Sequence, residues 1–268
     1  MRKKIVYIII LLASLFLVYI FIEPYLLKVH TIVFTNKDVP DSFVGKKIIF
    51  ISDIHHGPGS LLLRVKMMVA RINKLNPDIV ILGGDYVHTS TKYIEPCFNE
   101  LKKIQAHYGK YGILGNHDYW ADAQLTRQNM QRAGFAMLDN KVVPVKIDPG
   151  IIKLAGVAGL FEHDFNSTIN GIKKDDFVIL VAHTPDYAEK ITTDNIDLVL
   201  SGHTHGGQFT FFGLWAPFVP SEYGQKYRQG FVHTRHTTAY VTTGIGTIGP
   251  PVRFFARPEI VVIILQKR

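Results

Sequence analysis

The stretch KKIIFISDIH, residues 46–55, runs from two lysines through four consecutive apolar residues to a polar end. Such an uninterrupted apolar run is typical of a strand buried on both faces, as in a parallel sheet. Residues 60–76 then place Leu, Val, Met and Ile at helical spacing. PDIVILGGD, residues 77–85, repeats the apolar run and its polar end. This strand–helix–strand order predicts an α/β fold.

The remaining chain alternates in the same way and then becomes richer in strands. Helices are predicted near residues 92–106 and over 121–134. Strands are predicted at 111–116, 141–147, 151–159, 176–183, 196–203, 239–244 and 259–266. This order predicts a two-sheet sandwich flanked by helices. Residues 28–268 contain no linker-like or repeated segment, so we expect them to form one domain.

The N-terminus has the pattern of a membrane anchor. After the basic opening MRKK, residues 5–22 contain one clearly polar side chain, Ser14. As a helix this segment spans about 27 Å, close to the hydrocarbon thickness of a bilayer, and no small-residue cleavage pattern follows it. We therefore expect residues 1–27 to be an uncleaved single-pass anchor in the cell membrane rather than a cleaved signal peptide. The basic opening favours a cytoplasmic N-terminus, with the domain on the outer face.

The net charge of the chain indicates which classes of partner it can bind, and its cysteine content bears on disulfide formation. A net charge of +8 favours anionic partners such as phosphates and acidic lipids. No Lys/Arg-rich stripe follows the N-terminus, so no nucleic acid partner is expected. The single cysteine, Cys97, excludes an internal disulfide and is expected to be a core residue.

Polar side chains follow five of the predicted strands, at the point where each strand ends. They are Asp53 and His55, Asp85, Asn116, His183, and His203 and His205. Taken singly, such an aspartate is typical of a turn or helix cap, and a buried histidine of a hydrogen-bonded core group. Because strands of an α/β sheet end at a shared edge, these groups are expected to line one crevice, where leaving them unpaired is costly. One or two metal ions would pair them.

The donor atoms narrow the choice of metal. Oxygen and imidazole nitrogen without thiolate suit Mn, Fe or Zn, whereas calcium takes oxygen alone. Seven residues are too many for one zinc, which takes four ligands. They suit two ions about 3.5–4 Å apart that share a carboxylate. The sequence thus predicts two divalent ions, Mn, Zn or Fe.

Five blocks, SDIHHG, GGDYV, GNHD, AH and GHTH, occur in this order. They resemble the signature of the calcineurin-like metallophosphoesterase superfamily, D-x-H, G-D, G-N-H-[DE], a lone His and G-H-x-H. The segments SGHTHGGQ, VPSEYGQKYRQG and GIGTIGPPVRFFARPEI look like its bacterial and archaeal membrane-associated branch, which includes UDP-diacylglucosamine hydrolases. The resemblance implies an α/β/β/α sandwich and a phosphoester hydrolase.

The resemblance also implies a role for each residue. One ion would take Asp53, His55 and His205, the other Asn116, His183 and His203, and Asp85 would bridge them. A hydroxide held between the ions would attack phosphorus, and His117 would protonate or stabilise the leaving group; a hydrogen bond to a ligand is its alternative role. Many members carry an aspartate that orients this histidine. Here His88 stands at that position, so His88 or Asp118 is expected to support His117.

Three further features concern the substrate. His56 and Arg253 are candidate contacts for substrate phosphate, with solvated surface positions as the alternative. FTFFGLWAPFVP, residues 209–220, is either core and turn or an apolar wall that suits a lipid-bearing substrate.

The leading hypothesis is a membrane-anchored enzyme that cleaves a phosphodiester or pyrophosphate bond in a lipid-linked or nucleotide-sugar substrate. UDP-sugars are cytoplasmic, so a domain on the outer face would favour lipid or polymer phosphates. A nuclease or cyclic-nucleotide phosphodiesterase is the first alternative, against which the anchor and the missing basic stripe count. The second alternative is a scaffold protein that binds no metal, but the presence of all seven candidate ligands counts against it.

Overall fold

The apolar runs form two six-stranded sheets in the computed structural model of the protein, which describes residues 2–58, 60–157, 169 and 171–268. Within these residues the helices are α1 (Arg2–Ile22), α2 (Leu62–Lys74), α3 (Ile94–Leu101) and α4 (Asn116–Arg132). The strands are β1 (Lys28–Asn36), β2 (Lys47–Ile51), β3 (Ile79–Leu82), β4 (Lys110–Gly112), β5 (Ala136–Met137), β6 (Lys141–Ile147), β7 (Gly150–Val157), β8 (Val178–Ala182), β9 (Leu198–Ser201), β10 (Gly230–His233), β11 (Thr238–Val241) and β12 (Glu259–Lys267). The last two residues of the strand predicted at 151–159 lie outside the described residues.

Both sheets are mixed, with parallel strands at their centres. The first has the order β1-β12-β2-β3-β4-β5, and β2 to β5 run parallel to one another. The second has the order β10-β11-β9-β8-β7-β6, and β7, β8, β9 and β11 run parallel. Because neighbouring parallel strands end together, the carboxyl ends of the central strands lie at one edge of each sheet.

Alternate residues of the central strands fill two different cores. In β2, Ile48 and Phe50 pack between the sheets, where they meet residues of the second sheet such as Ile179. Ile49 and Ile51 point the other way, into the core beneath the helices. All four are fully buried, which contributes about 1.5–3 kcal/mol for each side chain. Burial on both faces confirms the predicted sandwich.

The outer faces of the sandwich are covered differently. Helices α2, α3 and α4 pack on the first sheet, through residues such as Met68, Phe98 and Met130. The second sheet packs against the short 3-10 helices Pro185–Lys190 and Gly224–Tyr227, which contribute Ala188 and Tyr227. The predicted flanking helices are therefore present, although in the described part of the chain those on the second sheet are short 3-10 helices of six and four residues.

Helix α4 begins five residues earlier than the sequence predicted. The Asp118 carboxylate, in the first turn, accepts the backbone N–H of Gly115, the residue before the helix. The helix kinks at Asp122, whose backbone is extended and whose carboxylate caps the second half through the N–H of Leu125. The predicted helix at 121–134 corresponds to that second half. The short first half places Asn116 and His117 at a helix N-terminus.

Candidate metal centre

The polar residues that follow β2, β3, β8 and β9, together with the start of α4, meet at one edge of the sandwich. The ligand atoms of Asp53, His55 and His205 all lie within 4.8 Å of one another. Those of Asp85, His183 and His203 form a second group of the same size. A third group, His55, His88 and His117, shares His55 with the first.

The first group holds two imidazole nitrogens against a carboxylate. His55 Nε2 lies 3.1 Å from His205 Nε2, and Asp53 Oδ1 lies 3.5 Å from His205 Nε2. Burial holds the pKa of both histidines well below the usual range, so both rings are neutral at pH 7. Neutral imidazoles that face a carboxylate present lone pairs, which is the form in which histidine binds metal ions.

In the second group, the orientation of His183 is set by the backbone. Its Nδ1 donates a hydrogen bond to the carbonyl of Gly83 at 2.8 Å, which leaves Nε2 facing Asp85 Oδ2 at 3.1 Å. Burial lowers the pKa of His183, but Asp85, Asp53 and the carbonyl of Gly83 together raise it to about 10. Asp85 Oδ2 also lies 3.5 Å from His55 Nε2 in the first group. Asp85 therefore stands between the two groups.

Several buried atoms of this cluster lack a hydrogen-bond partner. In the described residues they include Asp85 Oδ2, Asn116 Oδ1 and His183 Nε2; the carboxylate and imidazole atoms face each other without hydrogen-bond geometry. Leaving a buried polar atom unpaired costs about 1–3 kcal/mol. Divalent cations would satisfy oxygen and nitrogen donors of this kind. The residues thus fit the two metal ions that the sequence predicts.

The backbone of the cluster is strained. Of the ten described non-glycine residues with positive φ, five are candidate ligands: Asp53, His55, Asp85, His203 and His205. Non-glycine residues in this region cost about 1–3 kcal/mol each and concentrate at functional sites. The left-handed turns bend the chain back after each strand, so that two nearby side chains point into one space.

Backbone N–H groups of one loop hold the carboxylates of another. The N–H of His203 donates to both oxygens of Asp53, at 3.0 and 3.1 Å. The N–H of His117 donates to Asp85 Oδ1 at 2.8 Å. Each carboxylate is thereby oriented by the loop that carries another candidate site residue.

Two glycines allow these loops to approach. A Cβ at Gly202 would lie 2.1 Å from Asp53 Oδ2, and one at Gly115 would lie 2.2 Å from Asp85 Oδ1. Any side chain at either position would displace a carboxylate. The small residues of the SGH and GNH blocks are thus required by the ligands themselves.

His117 is supported by a backbone group. Its Nδ1 donates a hydrogen bond to the carbonyl oxygen of His88, and the His88 ring stacks on the His117 ring with centroids 5.4 Å apart. Asp118 instead accepts the N–H groups of Asp85, Tyr86 and Gly115. The backbone carbonyl of His88 therefore orients His117, whereas Asp118 joins the loop after β3 to α4.

Neither candidate phosphate contact lies at the surface. Arg253 is fully buried and donates to the carbonyls of Thr243, Gly246 and Ala256 at 2.6–3.1 Å, and to that of His205 at 3.4 Å. It braces the His205 loop and is not available to a phosphate, so the substrate contact predicted for Arg253 is corrected. His56 is also buried, with Nδ1 2.9 Å from the carbonyl of Ser60 and its ring against Tyr93.

Two apolar features at this edge were less predictable. Trp120 is largely exposed and packs on His117, with ring centroids 4.6 Å apart; its place just after the GNHD block was the only signal for it. A cavity of about 150 Å³ lies beside His205, and Phe218, Pro220 and Ile248 supply its apolar wall. Most large apolar residues of segment 209–218 are exposed, so this segment is not core.

Known proteins share this pattern. A family model described as calcineurin-like phosphoesterase matches residues 46–207. An uncharacterized metallophosphoesterase of Bacillus subtilis is 32% identical, over 92% of this chain and 88% of that protein. A Danio rerio transmembrane protein with metallophosphoesterase domain is 31% identical, over 90% of this chain and 57% of that protein.

Solved structures share the fold at low sequence identity. The NAD nucleotidase of Haemophilus influenzae has a TM-score of 0.51 at 16% identity, over 75% of this chain and 45% of that chain. A Thermus thermophilus protein has a TM-score of 0.50 at 15% identity, over 75% of this chain and 90% of that chain.

Proposed function

Because the chain belongs to the calcineurin-like phosphoesterase family, we propose that it is a membrane-anchored hydrolase that uses two divalent metal ions to cleave a phosphodiester or pyrophosphate bond. The observation that carries this proposal is the position of Asp85 between two groups of buried ligand atoms. One ion would be held by Asp53, His55 and His205, and the other by Asn116, His183 and His203, with Asp85 shared between them. Mn, Zn and Fe suit this donor set.

When bound, such ions polarise phosphoryl oxygens and lower the pKa of water. The chain itself contributes the orientation of the ligands. The N–H of His203 holds Asp53 and the N–H of His117 holds Asp85, so neither carboxylate has to reorient during a reaction. The Gly83 carbonyl fixes His183 with its Nε2 toward the centre.

His117 is proposed to donate a proton to the leaving oxygen. Since Nδ1 donates to the His88 carbonyl, the transferable proton is the one on Nε2.

The anchor is proposed to be α1. It is long and apolar enough to cross a membrane, and almost all of its side chains are exposed. The basic residues before it favour a domain on the outer face, where a lipid-linked phosphoester is accessible and a cytoplasmic nucleotide sugar is not. The apolar wall of the cavity beside His205 also suits a lipid-linked substrate.

We expect the purified protein to bind about two equivalents of divalent metal and to hydrolyse an aryl phosphodiester faster than the matched monoester. Elemental analysis would give the metal content, and release of nitrophenolate with added Mn²⁺ would give the rates. The same protein treated with a chelator is the control and should lose activity until metal is returned. A protein that binds no metal and stays inactive with Mn²⁺ would refute the proposal, and faster cleavage of the monoester would refute its diester preference.

A further inference from the structure

The topology brings the end of α1 to the edge of the domain that holds the candidate metal centre. Strand β1 begins shortly after α1, at Lys28, which pairs with Glu259 at the start of β12. Strand β12 runs antiparallel to β2, so its start lies beside the end of β2. That end leads directly into Asp53. The chain therefore leaves the anchor beside the metal centre, and β1 carries it away toward the far edge.

Hydrogen bonds fix this end of α1 to the domain. The carbonyl of Ile20 accepts the N–H of Arg253 at 3.0 Å, and the carboxylate of Glu23 accepts the N–H groups of Phe255 and Ala256 at 2.8 and 2.6 Å. The guanidinium of Arg253 reaches the carbonyl of His205. A single residue thus joins α1 to a loop that carries a candidate ligand.

Aromatic side chains also contact α1 in the turns that precede this hydrogen-bonded end. The Phe16 ring lies 6.1 Å from that of Phe209 and 5.0 Å from that of Phe254, and the Tyr19 ring lies 6.0 Å from those of Phe254 and Phe255. Phe16 lies six residues before the end of the helix, which is about 9 Å along its axis. In a membrane-spanning α1, the rings that touch Phe16 lie at the same depth as Phe16.

The segment next to these rings is apolar and exposed. The exposed fractions of Phe211, Leu214, Trp215 and Phe218 are 64%, 80%, 52% and 72%. Soluble domains rarely expose so many large apolar residues together, whereas aromatic residues are enriched where protein meets the membrane interface. The exposed side chains of segment 209–218 and of Phe255 are called here the aromatic surface.

We propose that the metal-bearing edge of the domain faces the bilayer, with the aromatic surface embedded in the interface beside α1. The proposal rests on the proposed anchoring by α1 and adds an orientation to it. The occupant of the aromatic surface is the lipid of the leaflet from which α1 emerges. In this orientation the cavity beside His205 opens next to the lipid headgroups.

The two tryptophans of the chain allow a direct test. A full-length Trp120→Phe variant keeps Trp215 as the single fluorophore and is reconstituted into phosphatidylcholine vesicles. We expect Trp215 to be quenched by doxyl-labelled lipids, protected from aqueous iodide and shifted to shorter emission wavelength. The matched control is Trp120→Phe/Trp215→Phe/Tyr108→Trp. Tyr108 is partly exposed and precedes β4 at the far edge, so a tryptophan there should be quenched by iodide and hardly by doxyl lipid.

The outcomes separate this orientation from the rest of the proposed function. Vesicle flotation and carbonate extraction report whether α1 is inserted. If the chain floats and resists carbonate while Trp215 is as open to iodide as the tryptophan at position 108, the orientation is wrong and the anchoring stands. If the chain does not float, both are wrong. Hydrolysis of the aryl phosphodiester by the unsubstituted protein in the same vesicles tests the phosphoesterase activity independently of either result.

Discussion

Asp85→Asn is expected to abolish phosphodiester hydrolysis while leaving the domain folded. The side chain lies 3.1 Å from His183 Nε2 and 3.5 Å from His55 Nε2, so it contacts both groups of candidate ligands. Asparagine has the same shape and can still accept the N–H of His117, but it has no charge to hold two cations. Because bound metal ions supply several kcal/mol of transition-state stabilisation, we expect kcat/KM to fall at least about 10³-fold. The aryl phosphodiester assay measures the loss, and elemental analysis should show fewer bound ions.

Asp197→Asn is the matched control for this substitution. The Asp197 carboxylate is partly buried and accepts the N–H of Val178 and the side chain of Asn36, before β9 and away from the metal-bearing edge. The Asp197→Asn protein should keep its metal ions and its activity. Thermal unfolding of both variants without metal would show whether each is folded. An Asp85→Asn protein that keeps both ions and normal activity would contradict the bridging role of Asp85.

His117→Gln is expected to slow substrates with poor leaving groups much more than those with good ones. An alkoxide needs a proton as it departs, and a positioned acid of this kind contributes about 10²–10⁴-fold. A nitrophenolate is stable without that proton, so its release should be much less affected. Glutamine keeps the backbone N–H that holds Asp85, so the candidate ligands stay in place. Values of kcat/KM for a series of phosphodiesters with graded leaving groups would measure the difference.

His88→Ala separates the two ways in which His88 could support His117. The substitution removes the ring that stacks on His117 but keeps the carbonyl that accepts the Nδ1 proton. We therefore expect a smaller loss than in His117→Gln and no steeper dependence on the leaving group. Equal losses for every leaving group in His117→Gln would instead indicate that His117 only positions its neighbours.

The sandwich and the candidate ligands could be predicted from the sequence because both depend on patterns of neighbouring residues. An apolar run such as 48–51 identifies a buried strand, and the polar residue that follows marks its carboxyl end. Parallel pairing then brings such ends together whatever the details of packing. The grouping of Asp53 with His205, 152 positions later in the chain, needs only this topology.

Features that depend on distant partners were not predictable in this way. Arg253 is a typical surface residue by composition, yet it is buried because four backbone carbonyls accept its protons. Segment 209–218 has the composition of a core, but its large apolar side chains are exposed, which composition alone does not reveal. Strand β1 was missed because it mixes polar and apolar residues, half of it being exposed at the sheet edge.

Glu23 has a consequence for how an anchored enzyme of this kind would find its substrate. Its carboxylate is fully buried and ties the last turn before β1 to the backbone of Phe255 and Ala256. A flexible tether would let a catalytic domain sweep a volume whose radius grows with linker length. The buried Glu23 instead fixes the domain to the end of α1, so a domain anchored by α1 would move together with its anchor. Such a domain would search for substrate in two dimensions and would reach only bonds that are presented at a fixed distance from the lipid.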